Sequence, residues 1–358
     1  MYDFSSKVDG IDDLQLVRRV RAAYIAAHKT FSEHGESQWG ILDGWKSSVH
    51  NTVLNGSDDE LAAALRNPVS NHLLYGFDLI YTERHEQLFN DEALKIQQAG
   101  LVVSAIEALA AAVGVARVNN PEAPDHRPPE KRTSDELIAL IGSVTRADFP
   151  NPYPDEFGLK LKTGTANLRA VFAIYQQYRT LHLLRLAKGN SILEIGAGLG
   201  RTAYYCHRSG ATNYTIIDIP LTNLAQGYFL GRTLGPDKVC LFGEEYCPGA
   251  VRVLPPICLP DIKADLVVNV DSMTEMDRSS ADTYVKHALD TAKVLLSINH
   301  EVNSFTVSEV IKTLAPNAEL MRYPAPMRAG YIEEIVFIRN EARASRGLSF
   351  LKGLVKVS

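Results

Sequence analysis

Residues 192–201 read ILEIGAGLGR, and this stretch decides the fold. Ser191–Ile195 predicts a short strand, and Arg201–Ser209 the helix that follows. Gly196, Gly198 and Gly200 lie between them, where glycine lets the backbone turn sharply and approach a ligand closely. The exposed amides that open the helix favour an anionic or polar group. Asp218 ends the next strand, Tyr214–Ile219. A carboxylate there can accept hydrogen bonds from both hydroxyls of a ribose. Strand, loop, helix and carboxylate together predict a nucleoside-containing cofactor at the carboxyl edge of a sheet.

Outward from this stretch the same alternation continues. Leu221–Leu234 predicts a helix and Lys238–Phe242 a strand, followed by a loop containing Pro248, Pro255, Pro256 and Pro260. Ala264–Val270 predicts a strand, Ser279–Thr291 a helix, Val294–Ile298 a strand and Thr306–Leu314 a helix. Glu319–Tyr323 and Tyr331–Arg339 close the series as strands. Alternating strands and helices imply a parallel sheet covered on both faces. Too few residues separate the last two strands for a crossover helix, so they should run antiparallel.

The chain before Ser191 has another texture. Residues 11–116 read mostly helical, with Val17, Val20, Tyr24 and Ala27 at helical spacing. The nearly apolar run Leu101–Ala116 carries Glu107 and is short for a bilayer, so a buried helix is expected and no transmembrane segment. Residues 117–132, RVNNPEAPDHRPPEKR, hold four prolines and predict an exposed linker. Ser134–Gly142 reads as a short helix capped by Ser134, and Phe149–Gly158 as another Pro/Gly-rich stretch. A long helix follows, with Thr165 as its cap, Leu168, Val171, Phe172 and Tyr175 as its apolar stripe, and Gly189 as its left-handed stop. Residues 340–358 form a basic tail. The expected division is a helical N-terminal region over 1–133, a helical connector over 134–190, a cofactor-binding domain over 191–340 and the tail over 341–358.

With 358 residues, 46% hydrophobic and 22% charged, the chain is long enough for about two domains and a sizeable core. Its net charge of -5 offers no general surface for a nucleic-acid backbone. Cys206, Cys240, Cys247 and Cys258 form no C-x-x-C pair. No basic start followed by an apolar segment opens the chain. Reduced thiols and a cytoplasmic location are expected. A homodimer is left open.

A dinucleotide fingerprint would place its third glycine at position 201, where this chain has Arg201. Glycines at 196, 198 and 200, with Glu194 two residues earlier, resemble instead the S-adenosylmethionine motif of class I methyltransferases. The cationic end of that cofactor suits a carboxylate better than a pyrophosphate would. The resemblance implies an α/β doubly wound, seven-stranded sheet with its last strand antiparallel, beside the helical N-terminal region. The series GAGLGRTAYY, YTIIDIP, DLVVNVDSMTEM and LLSINHE is similar, in this order, to the bacterial sugar O-methyltransferase family over residues 158–339. That resemblance implies methyl transfer to a sugar hydroxyl on a glycan, glycolipid or nucleotide sugar. Acceptors other than sugars, a nicotinamide-dependent oxidoreductase and a non-catalytic scaffold are the alternatives.

Methyl transfer to an alcohol needs alignment and a base. His300, just past the fifth strand, is the expected base, because histidine takes and releases protons near neutral pH. Glu301 or Glu275 could orient it, and Asn299 could hold an acceptor hydroxyl. Asp271 and Glu275 could position ligands, act as base, or bind Mg²⁺, which usually needs further oxygen ligands. No metal is therefore assigned. The expected cofactor contacts are Glu194, Gly196, Gly198, Gly200, Arg201, Tyr204, Asp218 and Asn269. Arg201 could bind the cofactor carboxylate or cover the loop. Tyr175, Tyr178 and Arg179 could face the cofactor or form an ordinary amphipathic face, and Glu244 and Glu245 could lie near its base or on the surface. Trp39 and Trp45 could stack on a sugar ring.

Overall fold

The computed structural model describes residues 2–4, 13–31, 47–76, 78, 87, 90–117, 122, 131–154 and 156–338. Trp39, Trp45, most of the Pro-rich linker and the basic tail lie outside the described residues. The main sheet is built from β4 (Ile192–Ile195), β5 (Tyr214–Ile217), β6 (Val239–Leu241), β7 (Val251–Leu254), β8 (Leu266–Val270), β9 (Val294–His300), β10 (Leu320–Pro324) and β11 (Tyr331–Phe337). Its order is β10-β11-β9-β8-β4-β5-β7-β6. All pairings are parallel except those of β11, which runs antiparallel to both β9 and β10. The class is α/β and doubly wound, with its penultimate position reversed as expected.

The sheet has eight strands, not seven. The added one is Val251–Leu254, which inserts between β5 and the strand predicted at Lys238–Phe242. Its four residues are flanked by Pro248 and Pro255 and read as loop from sequence. Pairing on both edges with parallel neighbours overrides that local signal.

Strands β4 and β5 are buried along their whole length. Their near-continuous apolar runs are what a parallel strand covered on both faces requires. The crossover helices are α7 (Arg201–Arg208), α8 (Pro220–Leu234), α9 (Arg278–Thr291) and α10 (Val307–Leu314), and α6 (Leu168–Leu186) leads into β4. Three expected caps shift by a residue or two. Asn167, not Thr165, caps α6 by accepting from Ala170 N at 2.8 Å. Thr133, not Ser134, caps α5 (Ser134–Ile141) in a capping box with Glu136. Lys188, not Gly189, takes the left-handed conformation after α6. Gly189 is needed for space: a Cβ there would lie 2.5 Å from the Asp265 Cβ.

The N-terminal region supplies α1 (Leu14–His28), α2 (Ser47–Asn55), α3 (Asp58–Arg66) and α4 (Glu92–Ala112). By length and composition α4 is long and apolar enough to cross a membrane. Here its buried residues, among them Val102, Ile106 and Leu109, belong to the face packed on α5 and α6. Within the stretch read as connector, β2 (Phe157–Leu161) and β3 (Gly164–Ala166) form a hairpin that β1 (Tyr2–Phe4) extends to three strands.

Helix α1 buries Leu16, Val17, Val20, Tyr24 and Ala27 and packs on α8. Gly227 and Gly231, one turn apart on α8, make the close approach possible. A Cβ on Gly231 would come within 2.7 Å of Leu16, and one on Gly227 within 3.0 Å of Val20. Arg19 adds a clasp. It donates through Nε and Nη2 to the two carboxylate oxygens of Glu244, at 2.6 and 2.8 Å. Glu244 therefore secures α1 to the sheet edge.

Candidate functional site

A cavity of about 350 Å³ opens at the carboxyl edge of the sheet. Its floor is the glycine loop. Gly196, Gly198 and Gly200 all have positive φ (67°, 56° and 87°), which L side chains rarely adopt. Gly196 is doubly constrained, since a Cβ there would meet the Ser272 Oγ at 2.0 Å.

The loop rests on a buried amide network. Asn269 Nδ2 donates to the Ile195 carbonyl at 2.8 Å and to Ser272 Oγ at 2.6 Å. Asn299 Nδ2 donates to Asn269 Oδ1 at 2.8 Å, and Ser272 N donates to Asn299 Oδ1 at 3.2 Å. These bonds tie the ends of β4, β8 and β9 together. They also correct two expectations. Asn269 and Asn299 are buried and lie under the loop, outside the cavity lining. Their hydrogen-bonding capacity is used within the protein.

Glu194 does reach the cavity wall. It is 2% exposed and accepts a hydrogen bond from the Tyr214 hydroxyl at 2.8 Å. Burial pushes its pKa up to about 8 despite that bond. Among the described residues no Lys, Arg or His forms an ion pair with it. Asp218 also lines the cavity, accepting from Gln226 Nε2 at 2.7 Å and Ile219 N at 2.9 Å.

Arg201 lines the cavity, but its guanidinium is engaged. Nε donates to Asp78 and Nη2 to Glu156, each at 3.0 Å, and the group lies over the Phe229 ring. All three charged side chains are buried. Burial holds the Glu156 pKa up at about 7 even beside Arg201. Asn167 Nδ2 also donates to Glu156. Tyr204 is a second departure. It is buried, absent from the cavity lining, and donates its hydroxyl to Asp148 at 2.6 Å. The helical period explains this: Arg201 and Thr202 open α7 on the cavity side, whereas Tyr204 and Tyr205 face Asp148.

At the other end of the cavity stands Asp271. Its φ is 55°, an uncommon backbone for a non-glycine residue. Its carboxylate accepts from Arg328 Nη1 (2.8 Å), Arg169 Nη1 (3.0 Å) and the Tyr331 hydroxyl (2.8 Å). Burial opposes ionisation, but Arg328 and Arg169 outweigh it and hold the carboxyl below its ordinary pKa. His300 and Glu275 are absent from the cavity lining and stand behind Asp271: His300 Nε2 lies 3.8 Å from Asp271 Oδ1, its Nδ1 is buried with no hydrogen-bond partner among the described residues, and its ring meets Tyr331 edge-on. Glu301 does not orient the ring. It pairs instead with Arg322.

Asp271, Glu275 and His300 place ligand atoms within 4.8 Å of one another. The donor set is a poor one for Mg²⁺, which prefers several oxygen ligands, and two guanidiniums already supply positive charge to Asp271. Tyr175 and Arg179 take neither expected role: they lie outside the cavity lining and both bond to the buried Glu333 on β11.

Asp78 lines the cavity, and Glu156 and Gln226 hold the lining residues Arg201 and Asp218 in place; none of the three was picked out as a site residue from sequence. Asp78 is a lone acid among apolar residues of the sequence, and Glu156 follows Asp155 in the Pro/Gly-rich stretch before β2. Gln226 is a polar residue inside the apolar run of α8, and that burial pattern was its one clue. Thr30 and Phe31, just past α1, also line the cavity, so the N-terminal region forms part of its wall.

No protein-family model matches the sequence, and no curated protein matches it. Solved structures similar to part of the chain include the O-methyltransferase of Bacillus cereus, solved with S-adenosylhomocysteine. It shares 12% identity over 65% of this chain and 99% of that one, with a TM-score of 0.34. The O-methyltransferase TomG of Streptomyces achromogenes, solved with S-adenosylmethionine, shares 12% over 46% and 81%, TM-score 0.33. Magnesium protoporphyrin IX methyltransferase of Synechocystis shares 14% over 48% and 84%, TM-score 0.33.

Proposed function

We propose that this chain is an S-adenosylmethionine-dependent O-methyltransferase that acts on a sugar hydroxyl, with His300 as general base. The observation that carries the cofactor is the charge of the cavity wall. Asp78, Glu194, Asp218, Asp271 and Asp277 line it; Arg201 offsets Asp78, and Arg169 and Arg328 offset Asp271, so the acidic part is the glycine-loop end with Asp218, Asp277 and the Glu194 carboxyl. Such a wall repels a dinucleotide pyrophosphate and attracts a cation. S-adenosylmethionine, when bound, supplies an electrophilic methyl group on a sulfonium. Gly196, Gly198 and Gly200 would admit its backbone-hugging end, Asp218 its ribose, and Glu194 its positive charge.

The sugar acceptor rests on the sequence resemblance. An acceptor hydroxyl bound beside Asp271 would give up its proton to the His300 ring, and Asp271 would stabilise the resulting imidazolium. A cytoplasmic enzyme with a small-molecule or glycan acceptor fits this reading.

The test is isothermal titration with S-adenosylmethionine and S-adenosylhomocysteine, first in EDTA and then in Mg²⁺. Binding in EDTA supports the reading and justifies an acceptor screen over nucleotide sugars and glycans. Binding that requires Mg²⁺ would make Asp271 and Glu275 metal ligands. Folded protein that binds neither compound would refute the cofactor. Turnover unchanged in His300→Ala would remove the base.

A further inference from the structure

Any ligand with an amino-acid head group brings a carboxylate that needs a counter-ion. Among the described residues the cations on the cavity wall are Arg169 and Arg201. Arg201 is the choice its place in the sequence suggests, at the start of the helix after the glycine loop. The structure spends it elsewhere. Its side chain is 7% exposed and sits between Asp78 and Glu156, two carboxylates for one guanidinium.

Arg169 is in the opposite situation. It is 30% exposed, lines the cavity and, among the described residues, gives one hydrogen bond, to Asp271. Asp271 is in turn shared with Arg328 and the Tyr331 hydroxyl. Two guanidiniums meet one carboxylate, so positive charge is left over where Arg201 leaves none. Arg169 also stands in the first turn of α6, where the helix dipole disfavours a cation unless an anion faces it. An arginine fork with unspent donors in a partly enclosed site is suited to a carboxylate.

We infer that Arg169, not Arg201, binds the carboxylate of the cofactor's amino-acid end. This rests on the proposed use of S-adenosylmethionine. It adds a positioning consequence: the same side chain joins the cofactor to Asp271, so cofactor binding and the acceptor end of the cavity share one residue.

The probe is a pair of compounds that differ only in the carboxylate, S-adenosylmethionine and its decarboxylated form. Titrated into the wild-type protein, the first should bind about 10- to 100-fold more tightly, the range for a charge-assisted hydrogen bond. Arg169→Ala should abolish this preference and leave affinity for the decarboxylated compound within about twofold (RT ln 2 is well under the tenfold step). Arg169→Lys should retain part of it. Equal weakening of both compounds in Arg169→Ala would mean a purely structural role and would overturn the inference. So would an intact preference combined with lost turnover, which would assign Arg169 to an anionic acceptor. Should the alanine variant not fold, Arg169→Gln against Arg169→Lys decides, and equal preference in the two overturns the inference. Wild-type protein that binds neither compound would bring down the cofactor reading itself, an outcome separable from any effect of the variants.

Discussion

The sheet from Ile192 onward and the helices before Leu168 border the same cavity but are held by different forces. The centre of the sheet is a ladder of parallel strands, with β4 and β5 buried on both faces. The N-terminal helices attach to it sideways, through two glycines on α8, the Arg19–Glu244 clasp and the buried group Arg201, Asp78 and Glu156. The sheet side therefore supplies the ligand-binding backbone, while the helical side supplies part of the wall. Stability should be shared between the two wherever a buried charge or a tight apolar contact crosses the boundary.

The largest expected effect breaks that boundary. Arg201→Met leaves Asp78 and Glu156 buried without their cation and should cost about 3–5 kcal/mol, as removal of one partner from a buried ion pair does. Urea denaturation followed by circular dichroism and by intrinsic fluorescence measures it. Coincident transitions are expected, and an undiminished midpoint would mean that the two regions are coupled by other contacts. Next comes Gly231→Val, which drives a branched side chain into Leu16 and should cost about 1–3 kcal/mol by overpacking. The same denaturation series checks it.

On the sheet side, Gly196→Ala combines a positive φ with overlap on Ser272. It should weaken S-adenosylmethionine binding by at least about tenfold, since a left-handed residue alone costs ~1–2 kcal/mol. Calorimetric titration reads this, and retained affinity would separate the glycine loop from the cofactor. Glu194 sharpens the same side through pH. Its pKa is raised to about 8, so the folded protein holds this proton where an unfolded chain would release it. The group therefore costs stability as pH rises from the ordinary carboxyl range through about 8, and costs nothing below that range. Glu194→Gln should be more stable than wild type at pH 9 and no different at pH 4. A cationic cofactor should bind wild type more tightly as pH rises from 6 to 8, with proton release, and the variant should lose that dependence. Melting curves and titrations in buffers of different ionisation enthalpy test both statements.

The smallest effect is expected at Arg19→Ala. Its pair with Glu244 is a quarter exposed on each side, and such pairs contribute about 0–1 kcal/mol. A loss larger than that of Gly231→Val would show that charge, not apolar packing, docks α1.

Much of the sheet side was legible because parallel strands are written as short apolar runs. Tyr214–Ile217, Leu266–Val270 and Val294–His300 were each anticipated to within two residues. Val251–Leu254 was not, because four residues between prolines carry no local signal and become a strand only when both neighbours are in place. Glu194, Gly196 and Asp218 were expected at a site from their spacing around one turn, and all three line the cavity. Asn269, Asn299, Tyr204, Glu275 and His300 do not line it, for a common reason: spacing locates a residue near a site but not the direction of its side chain.

The sequence by itself determined the α/β alternation, the reversed strand near the sheet edge and the glycine loop with its two carboxylates. These are local, because backbone turns and strand runs depend on neighbouring residues. The tertiary structure alone decided which charges were spent and which were left for a ligand. Arg201 and Arg169 are both arginines at the start of a helix. One is neutralised by Asp78 and Glu156, 123 and 45 residues away in the chain. The other shares Asp271 with Arg328 and lines the cavity. Charge compensation acts through space in a low-dielectric interior, and no spacing along the chain records it.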